Sequence, residues 1–314
     1  MQVRAITGFI DPGWPLEVKQ IQALAEALTA CRQSLQDAGY EVQTLRLATP
    51  PPSEMTHAVP FADRPEFARQ LEAECFVQGI DYAALGPALP DELEAFEVIP
   101  RILAATENIF TSALLIDPAA GLSLQAARSC AAAIQANARV RTDGFANLRF
   151  AALFNVPAGV PFFPAAYHRG GPPALAIATE AADLPVLVLQ DATSLRGARR
   201  SLIGAIETQA TTLAHNAERV SREHNVRFLG VDFSFAPYPE SARSLGTAIE
   251  ALGVPGVGRG GSAAAAAFLA DCLDRAVFPR VGFCGLFLPV LEDQVLAQRA
   301  ADGQLSLADL LLYS

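Results

Sequence analysis

The chain has 314 residues, of which 51% are hydrophobic, and its formal net charge is -10. This length and composition are sufficient for a sizeable globular core. The acidic balance, without any basic cluster, argues against a nucleic-acid partner and against an anionic membrane surface. No segment supplies the roughly 18 apolar residues of a membrane span, and the N-terminus lacks a secretory signal, so a cytoplasmic protein is expected.

The five cysteines are scattered and odd in number, without a C-x-x-C pair, which argues against a disulfide framework or a zinc ribbon. Lys19 is the only lysine of the chain, and it falls on a predicted surface helix. Schiff-base catalysis, pyridoxal phosphate attachment and a Walker-type lysine are therefore not expected. Arginine must supply the cationic side chains of any site.

Predicted strands and helices alternate along the first half of the chain. After a first strand at 2–8, apolar residues recur every three or four positions from Ile21 to Ala38, which predicts a helix. The elements that follow are predicted as strand 41–47, helix 65–78, a short strand in "DYAALGPAL", a helix from 91, strand 108–116, helix 123–139 and strand 148–156.

The second half continues the alternation. Either "ALAIAT" or "PVLVLQ" is interpretable as a strand, and the longest helical pattern then runs from Leu195 to Val220. "VRFLGVDFSF" predicts a strand buried on both faces because its apolar run is continuous. Helices at 244–252 and 262–276, a strand "GFCGLFLPV" and two short helices complete the chain. The pattern predicts one α/β domain, 1–314, with a mostly parallel sheet that is either open or closed as a barrel.

The segment "VPAGVPFFPAAYH", residues 156–168, is too rich in proline for a helix and too apolar for a solvated loop. Its prolines remove backbone donors and favour extended conformations, so the chain is stiff before any ligand binds. His168 is a candidate general acid, base or metal ligand, and Tyr167 is a candidate hydroxyl donor. The alternative is an aromatic loop that fills the core, with a structural histidine at its rim.

Acidic side chains follow two further predicted strands. Asp232, two residues before Ser234, ends the strand "VRFLGVDFSF", and Glu292 and Asp293 follow "GFCGLFLPV". Because ligands bind at the carboxyl ends of parallel strands, these carboxylates are candidates to hold a divalent metal ion or to orient a histidine. The alternatives are that Asp232 caps a turn and that the adjacent acids begin a helix.

This placement predicts that His168 lies within reach of Asp232 or Glu292. On this hypothesis, a His168→Ala or an Asp232→Asn change abolishes activity or ligand retention at little cost in stability, because a partly exposed polar group contributes roughly 1 kcal/mol or less.

A glycine-rich loop, "GVPGVGRGGS", precedes an alanine-rich helix whose expected N-cap is Ser262. Free backbone N–H groups at a helix N-terminus favour an anion. The predicted anion or cofactor site comprises Gly256, Gly258, Arg259, Gly260, Gly261 and Ser262. The alternative is a plain flexible loop, since no known nucleotide fingerprint fits its spacing.

Four motifs together carry a family resemblance. "VRAITGFID", "VPAGVPFFPAAYH", "FLGVDFSFAPYPESARSLGTAIEALG" and "GFCGLFLPVLED", in this order, resemble the uncharacterised protein family 0210, also called domain of unknown function 711. The resemblance covers nearly the whole chain. It implies an architecture similar to that of pyruvate formate-lyase-like glycyl radical enzymes, a closed ten-stranded α/β barrel with a loop entering its interior.

The sequence departs from the family pattern in two respects. Cys284 stands in "GFCG", where a small or hydroxyl residue is expected, and the pattern continues with a Cys-Gly-rich segment beyond the place where this sequence ends, at Ser314. A barrel of this length is expected to be unclosed at its C-terminal side, or to have that edge covered by another chain, as in a homo-oligomer. A glycyl radical mechanism is not expected, because no glycine loop lies near the C-terminus.

The function predicted from these features is that of an enzyme acting on a small anionic metabolite. His168, Tyr167 and Asp232 are its candidate catalytic residues, and the resemblance adds no established reaction. The competing hypothesis is a noncatalytic sensor that uses the same pocket. The two hypotheses differ in geometry, because catalysis requires the acidic and imidazole groups to converge whereas a sensor does not.

Overall fold

The computed structural model describes residues 1–117 and 119–313 and has an α/β fold. The strands are β1 (Gln2–Phe9), β2 (Val42–Ala48), β3 (Tyr82–Ala84), β4 (Ile109–Leu114), β5 (Ile116–Asp117), β6 (Gly121–Leu122), β7 (Phe150–Leu153), β8 (Ala174–Glu180) and β9 (Arg227–Asp232). The helices are α1 (Val18–Asp37), α2 (Arg64–Val77), α3 (Leu93–Ala105), α4 (Leu124–Asn137), α5 (Asp183–Gln190), α6 (Leu195–Glu223), α7 (Leu245–Ala251), α8 (Ser262–Arg275), α9 (Gln294–Ala301) and α10 (Leu307–Tyr313).

Seven strands form one sheet in the order β7-β4-β3-β2-β1-β8-β9, and β5 and β6 form a separate two-stranded pair. All pairs in the larger sheet are parallel except β1 with β8. The predicted mostly parallel sheet is therefore confirmed. A closed barrel is not formed by the part of the chain that the structure describes.

The reversal at β8 follows from the connection that precedes it. A parallel neighbour requires a crossover, usually a helix, to return the chain to the starting edge of the sheet. Between β7 and β8 the chain forms no helix, and β8 begins at Ala174, which pairs with Phe9 at the carboxyl end of β1. The strand therefore starts where the parallel strands end and runs back along the sheet.

The two faces of the sheet are covered differently. Ile6, Leu45 and Ile177 face the main hydrophobic core, which is filled by the helices. The other face, here called the alanine-rich face, carries Ala5, Phe9, Ala48, Ala84, Ala174, Ala176 and Ala178. Small side chains there allow the segment 156–168 to lie directly on the sheet.

"PVLVLQ" is not a strand, because it forms most of helix α5. The buried positions Pro185, Val186 and Leu189 have helical spacing, and Pro185 falls in the first turn, where a proline costs little. "ALAIAT" is the strand, as the other interpretation predicted.

The predicted strand "GFCGLFLPV" is also wrong. Residues 279–287 lie beside β9 but make only two isolated bridges, Val231 with Arg280 and Phe235 with Leu286. Gly282 and Cys284 have positive φ, and the backbone N–H groups of Phe283 and Cys284 donate to the carboxylate of Asp232 rather than to a strand. The buried side chain of Asp232 therefore accepts the hydrogen bonds that a neighbouring strand would otherwise accept.

All five cysteines are free and buried. Within residues 1–117 and 119–313, no helix combines the length and apolar character that a membrane crossing requires.

Candidate functional site

The segment 156–168 is fixed onto the alanine-rich face by backbone contacts. The Thr7 hydroxyl donates to the Pro161 carbonyl at 2.8 Å, and the N–H of His168 donates to the Thr49 carbonyl at 3.0 Å. The N–H of Gly159 donates to the Tyr167 carbonyl at 2.9 Å, which closes the segment on itself. The predicted stiff segment is thus anchored at the carboxyl ends of β1 and β2.

A cavity of about 480 Å³ lies where β2, β3, β4 and β7 end, and it is here called the strand-end cavity. Its lining residues are Pro51, Glu54, Leu89, Pro90, Asp91, Leu114, Ile116, Asp117, Asn155, Val156, Pro157, Tyr167 and Arg169. The buried Tyr167 hydroxyl donates to the Val156 carbonyl at 2.9 Å. Burial raises the pKa of Tyr167, while Arg169 lowers it and Glu54 raises it further. The phenol therefore lies within electrostatic reach of both charges.

His168 does not line this cavity. Its ring is 4% exposed and packs against Phe9, with ring centroids 6.3 Å apart. Burial lowers the pKa of His168, against the opposing effects of a hydrogen bond with Gly171 and the charge of Asp11. Its Nε2 atom is buried without a hydrogen-bond partner among the described residues. The imidazole is therefore held neutral near pH 7, and one nitrogen remains free.

We expect His168 to give the protein an acid-labile component of stability. Because the folded-state pKa lies below the ordinary 6.5, the unfolded chain binds an extra proton between the two values, and stability falls as pH drops through that window. The slope is at most about 1.4 kcal/mol per pH unit. Denaturant unfolding of His168→Gln between about pH 5 and pH 7 should show a flatter dependence. The matched change at the exposed His57 should leave the slope unaltered, and an equal slope in both variants would contradict this prediction.

Asp232 is a structural carboxylate. It is fully buried and accepts hydrogen bonds from the Ser234 hydroxyl at 2.6 Å and from the N–H groups of Phe283 at 2.7 Å and Cys284 at 2.8 Å. Burial raises its pKa, and these three hydrogen bonds oppose the rise. The prediction that this group is partly exposed is wrong, so we expect substitution of Asp232 to lower the free energy of unfolding substantially.

Of the two adjacent acids Glu292 and Asp293, Asp293 is also a buried structural carboxylate, whereas Glu292 is exposed. Asp293 is 1% exposed and accepts from the N–H groups of Leu245, Gly246, Val295 and Leu296 and from the Ser244 hydroxyl. It therefore caps α7 and α9 together, in agreement with the helix-start alternative. The Glu292 side chain is 57% exposed and lies 3.7 Å from Arg4.

The structure does not bring the predicted metal ligands together. No group of three His, Cys, Asp or Glu side chains within residues 1–117 and 119–313 could hold a metal ion. His168 lies at the carboxyl end of β1 and β2. Asp232 is level with Ala178 of β8, which in turn pairs with Ala5 of β1. Ala5 is four residues, or roughly 13 Å along the strand, from the carboxyl end of β1. The antiparallel entry of β8 places these strand ends at opposite edges of the sheet.

The glycine-rich loop uses most of its donors internally. The N–H of Val257 donates to Glu250, that of Gly258 donates to the Ser262 hydroxyl, and the N–H of Arg259 donates to the Gly256 carbonyl. Gly261, with φ of 102°, is the N-cap of α8, so the expected capping role of Ser262 is wrong. Arg259 Nε donates to Gln304 at 3.2 Å. This geometry supports a packed turn better than an anion cradle.

A polar cluster that the motifs did not predict lies on the alanine-rich face, around Arg46, and is here called the Arg46 cluster. Arg46 is 8% exposed, and its guanidinium carbon lies 5.1 Å from the Phe163 ring centroid and 5.8 Å from that of Tyr82. Its Nε donates to the Thr44 hydroxyl at 2.9 Å. No carboxylate of the described chain lies within ion-pair distance of it.

The neighbouring charges of the cluster are paired. Arg4, within a register shift of β1, donates to the buried Glu180 at 2.9 Å, and Arg243 pairs with the same carboxylate. Gln43 donates to Glu180 at 3.0 Å. Burial and, to a smaller extent, the charge of Arg4 lower the pKa of Arg46 to about 10, against the opposing effects of Tyr82 and Asp81. Arg4 and Arg243 thus have carboxylate partners in direct contact, whereas Arg46 has no ion pair among the described residues and only the more distant charge of Asp81 to favour its cation.

Arg149 shows how a buried arginine is satisfied when its role is structural. It is 4% exposed, and its terminal nitrogens donate to the carbonyls of Thr106, Ile109 and Leu103 at 2.7–3.2 Å. Burial lowers the pKa of Arg149 as well. Arg149 and Arg46 are therefore both buried, but within the described chain only Arg149 has backbone carbonyls that accept hydrogen bonds from its guanidinium group.

A signal for the Arg46 cluster was present in the sequence. "VQTLRLA" and "QVRAITGF" each contain an arginine within a strand whose neighbours are apolar, and a charge inside a doubly covered sheet is costly unless it has a partner. Both arginines lie within strands, away from the strand ends where the other candidate residues stand.

The fold and these sites define an α/β protein with one helix-covered sheet face and one segment-covered face. The family model described as "Uncharacterised ACR (DUF711)" matches residues 1–314, and the chain belongs to this family. It is 31% identical over 284 residues to a UPF0210 protein of Pyrobaculum islandicum, covering 85% of this chain and 62% of the relative. Identity to a UPF0210 protein of Pyrobaculum arsenaticum is 32% over 285 residues, covering 86% of this chain and 62% of that protein. The chain thus spans less than two thirds of the length of these relatives.

Proposed function

We propose that this chain binds a small anionic metabolite at the Arg46 cluster. The observation that carries the proposal is the buried guanidinium of Arg46, which has no carboxylate or carbonyl partner in the described chain. Aromatic rings compensate a buried cation only in part. A carboxylate or phosphate would supply the missing charge through charge-assisted hydrogen bonds.

Binding without turnover is the function that the geometry favours. The predicted acid and base groups do not converge, since Asp232 and Asp293 are occupied by structural hydrogen bonds and His168 lies at the other edge. Scattered titratable groups meet the criterion of a binding protein or sensor better than that of a catalyst.

The test compares two buried arginines. Arg46→Met keeps the apolar contacts with Tyr82 and Phe163 and removes the charge. We expect affinity for inorganic phosphate or malonate, measured by calorimetry at low ionic strength, to fall about 30-fold, or about 2 kcal/mol. Urea unfolding should show stability unchanged or increased, because a buried charge without an ion pair in the described chain is removed.

Arg149→Met is the matched control. It should lose about 2 kcal/mol of stability, because several buried carbonyls lose their donors, and it should retain anion affinity. Two results would contradict the proposal: no saturable binding of either anion to the unaltered chain, or equal affinity in Arg46→Met.

Catalysis on the same metabolite is the second candidate, and the free Nε2 of His168 favours it. A neutral imidazole with one unoccupied nitrogen can accept a proton. Incubation of the unaltered chain and of His168→Gln with a fractionated metabolite extract, followed by mass spectrometry, tests it. Consumption of an anion that depends on His168 supports an enzyme, and retention without consumption supports a sensor.

We further propose that the sheet belongs to a ten-stranded barrel in the longer family members, and that the protein is cytoplasmic. Five parallel strands joined antiparallel to β8 and β9, with polar side chains on the segment-covered face, support the first proposal. Five free cysteines support the second. An experimental structure of a full-length relative that shows an open sheet would contradict the barrel.

A further inference from the structure

The strand-end cavity is separate from the Arg46 cluster. It is lined by residues that end or follow β2, β3, β4 and β7, and Arg46 is not among them. Ligands of parallel α/β sheets bind at this edge, beyond the carboxyl ends of the strands. The cavity is therefore a candidate site in its own right.

Much of the lining of the strand-end cavity is apolar. Leu89, Leu114, Ile116 and Val156 supply the apolar surface, together with prolines at positions 51, 90 and 157. The anchored Tyr167 closes one side. A volume of about 480 Å³ and a mostly apolar lining are typical of pockets for small organic ligands.

The charges that line the cavity do not neutralise one another. Arg169 makes no ion pair within the described chain, and neither do Glu54, Asp91 and Asp117. One oxygen of Asp117 accepts from the N–H groups of Ala119 and Ala120, whereas its other oxygen has no donor in residues 1–117 and 119–313. Opposite charges therefore line one cavity without pairing; Arg169, Glu54 and Asp91 are exposed, and Asp117 is half-buried.

We propose that the strand-end cavity binds a small zwitterion, a free α-amino acid with an apolar side chain. Arg169 meets the ligand carboxylate, and the carboxylates of Glu54, Asp91 and Asp117 meet its ammonium group. The apolar side chain lies against Leu114, Ile116 and the prolines. Unpaired side chains of both signs line the cavity and complement the two charges of an amino acid, whereas an anion alone would face three carboxylates.

The test uses L-leucine and two analogues that each lack one charge. We expect L-leucine to bind in calorimetry, and 4-methylpentanoate, without the ammonium, and 3-methylbutan-1-amine, without the carboxylate, to bind at least roughly tenfold more weakly. L-phenylalanine serves as a second zwitterion with a larger apolar group. The proposal would be overturned if leucine and either analogue bound with equal affinity, or if neither amino acid showed saturable binding.

Variants assign the two ends of the ligand. Arg169→Met should weaken leucine binding roughly tenfold and leave the amine within about twofold. The double change Glu54→Gln with Asp91→Asn should weaken leucine binding and strengthen 4-methylpentanoate binding, because two of the carboxylates that repel the anion are removed. These side chains make no ion pair, so thermal unfolding should confirm an intact fold. Arg46→Met should leave leucine affinity unchanged, which separates failure here from failure of the proposed anion site.

Discussion

Replacement of Asp232 by alanine should destabilise the protein by about 3–5 kcal/mol, because two backbone N–H groups and a hydroxyl are left buried without an acceptor. These donors hold the irregular residues 279–287 against β9, and the carboxylate is fully buried. Asp232→Asn should cost less, since it retains one oxygen, but its amide group meets an N–H donor. Urea unfolding at neutral pH measures both changes.

Asp11 provides the matched control for this prediction. Its carboxylate also accepts from two backbone N–H groups, those of Gly13 and Thr56, and from the Thr56 hydroxyl. These bonds lie nearer to solvent, so water replaces the lost acceptor and Asp11→Ala should cost about 1 kcal/mol. Equal losses at the two positions would show that burial does not determine the cost.

Asp293→Ala should cost about 2–4 kcal/mol, because one carboxylate caps two helices. Its Oδ1 atom accepts from Val295 and Leu296 at 3.0 Å, and its Oδ2 atom accepts from Leu245 at 2.7 Å. The loss releases the N-termini of α7 and α9 together, within a buried contact. Thermal and urea unfolding should both report it, with anion binding at Arg46 retained in the folded protein.

Asp309→Ala is the control for this second prediction. Asp309 forms an exposed reciprocal cap with Ser306 at the start of α10 and serves one helix only. Its loss should cost about 1 kcal/mol or less. A comparable loss at Asp293 would show that the second helix does not depend on that carboxylate.

Most of the fold was predictable because local periodicity determines it. The apolar spacing from Ile21 and the long pattern from Leu195 both became helices that pack on the sheet. The predicted strand "VRFLGVDFSF" forms β9, but only Gly230, Val231 and Asp232 of that strand are buried. "PVLVLQ" was ambiguous because a short apolar run fits either a strand or a helix. Its proline is compatible with the observed helix because it lies in the first turn of α5.

Residues 279–287 could not be predicted from their own pattern. The sequence there alternates as a strand does, but the carboxylate of Asp232, 51 residues earlier for Phe283, takes the donors that a ladder would use. Gly282 permits this approach, since a Cβ there would lie 2.0 Å from the Asp232 carboxylate, at a φ of +75°. The competing acceptor comes from another part of the chain.

The sequence by itself determined the alternation of strands and helices, the stiffness of segment 156–168 and the positions of polar groups at strand ends. Only the tertiary structure decided which of those ends lie together. Strand direction depends on the edge of the sheet to which each connection returns the chain, and the segment before β8 returns it to the carboxyl edge. That one reversal separates His168 from Asp232. Arg46 likewise became a candidate site only in three dimensions, because a lack of partners is a property of all the elements that surround a side chain.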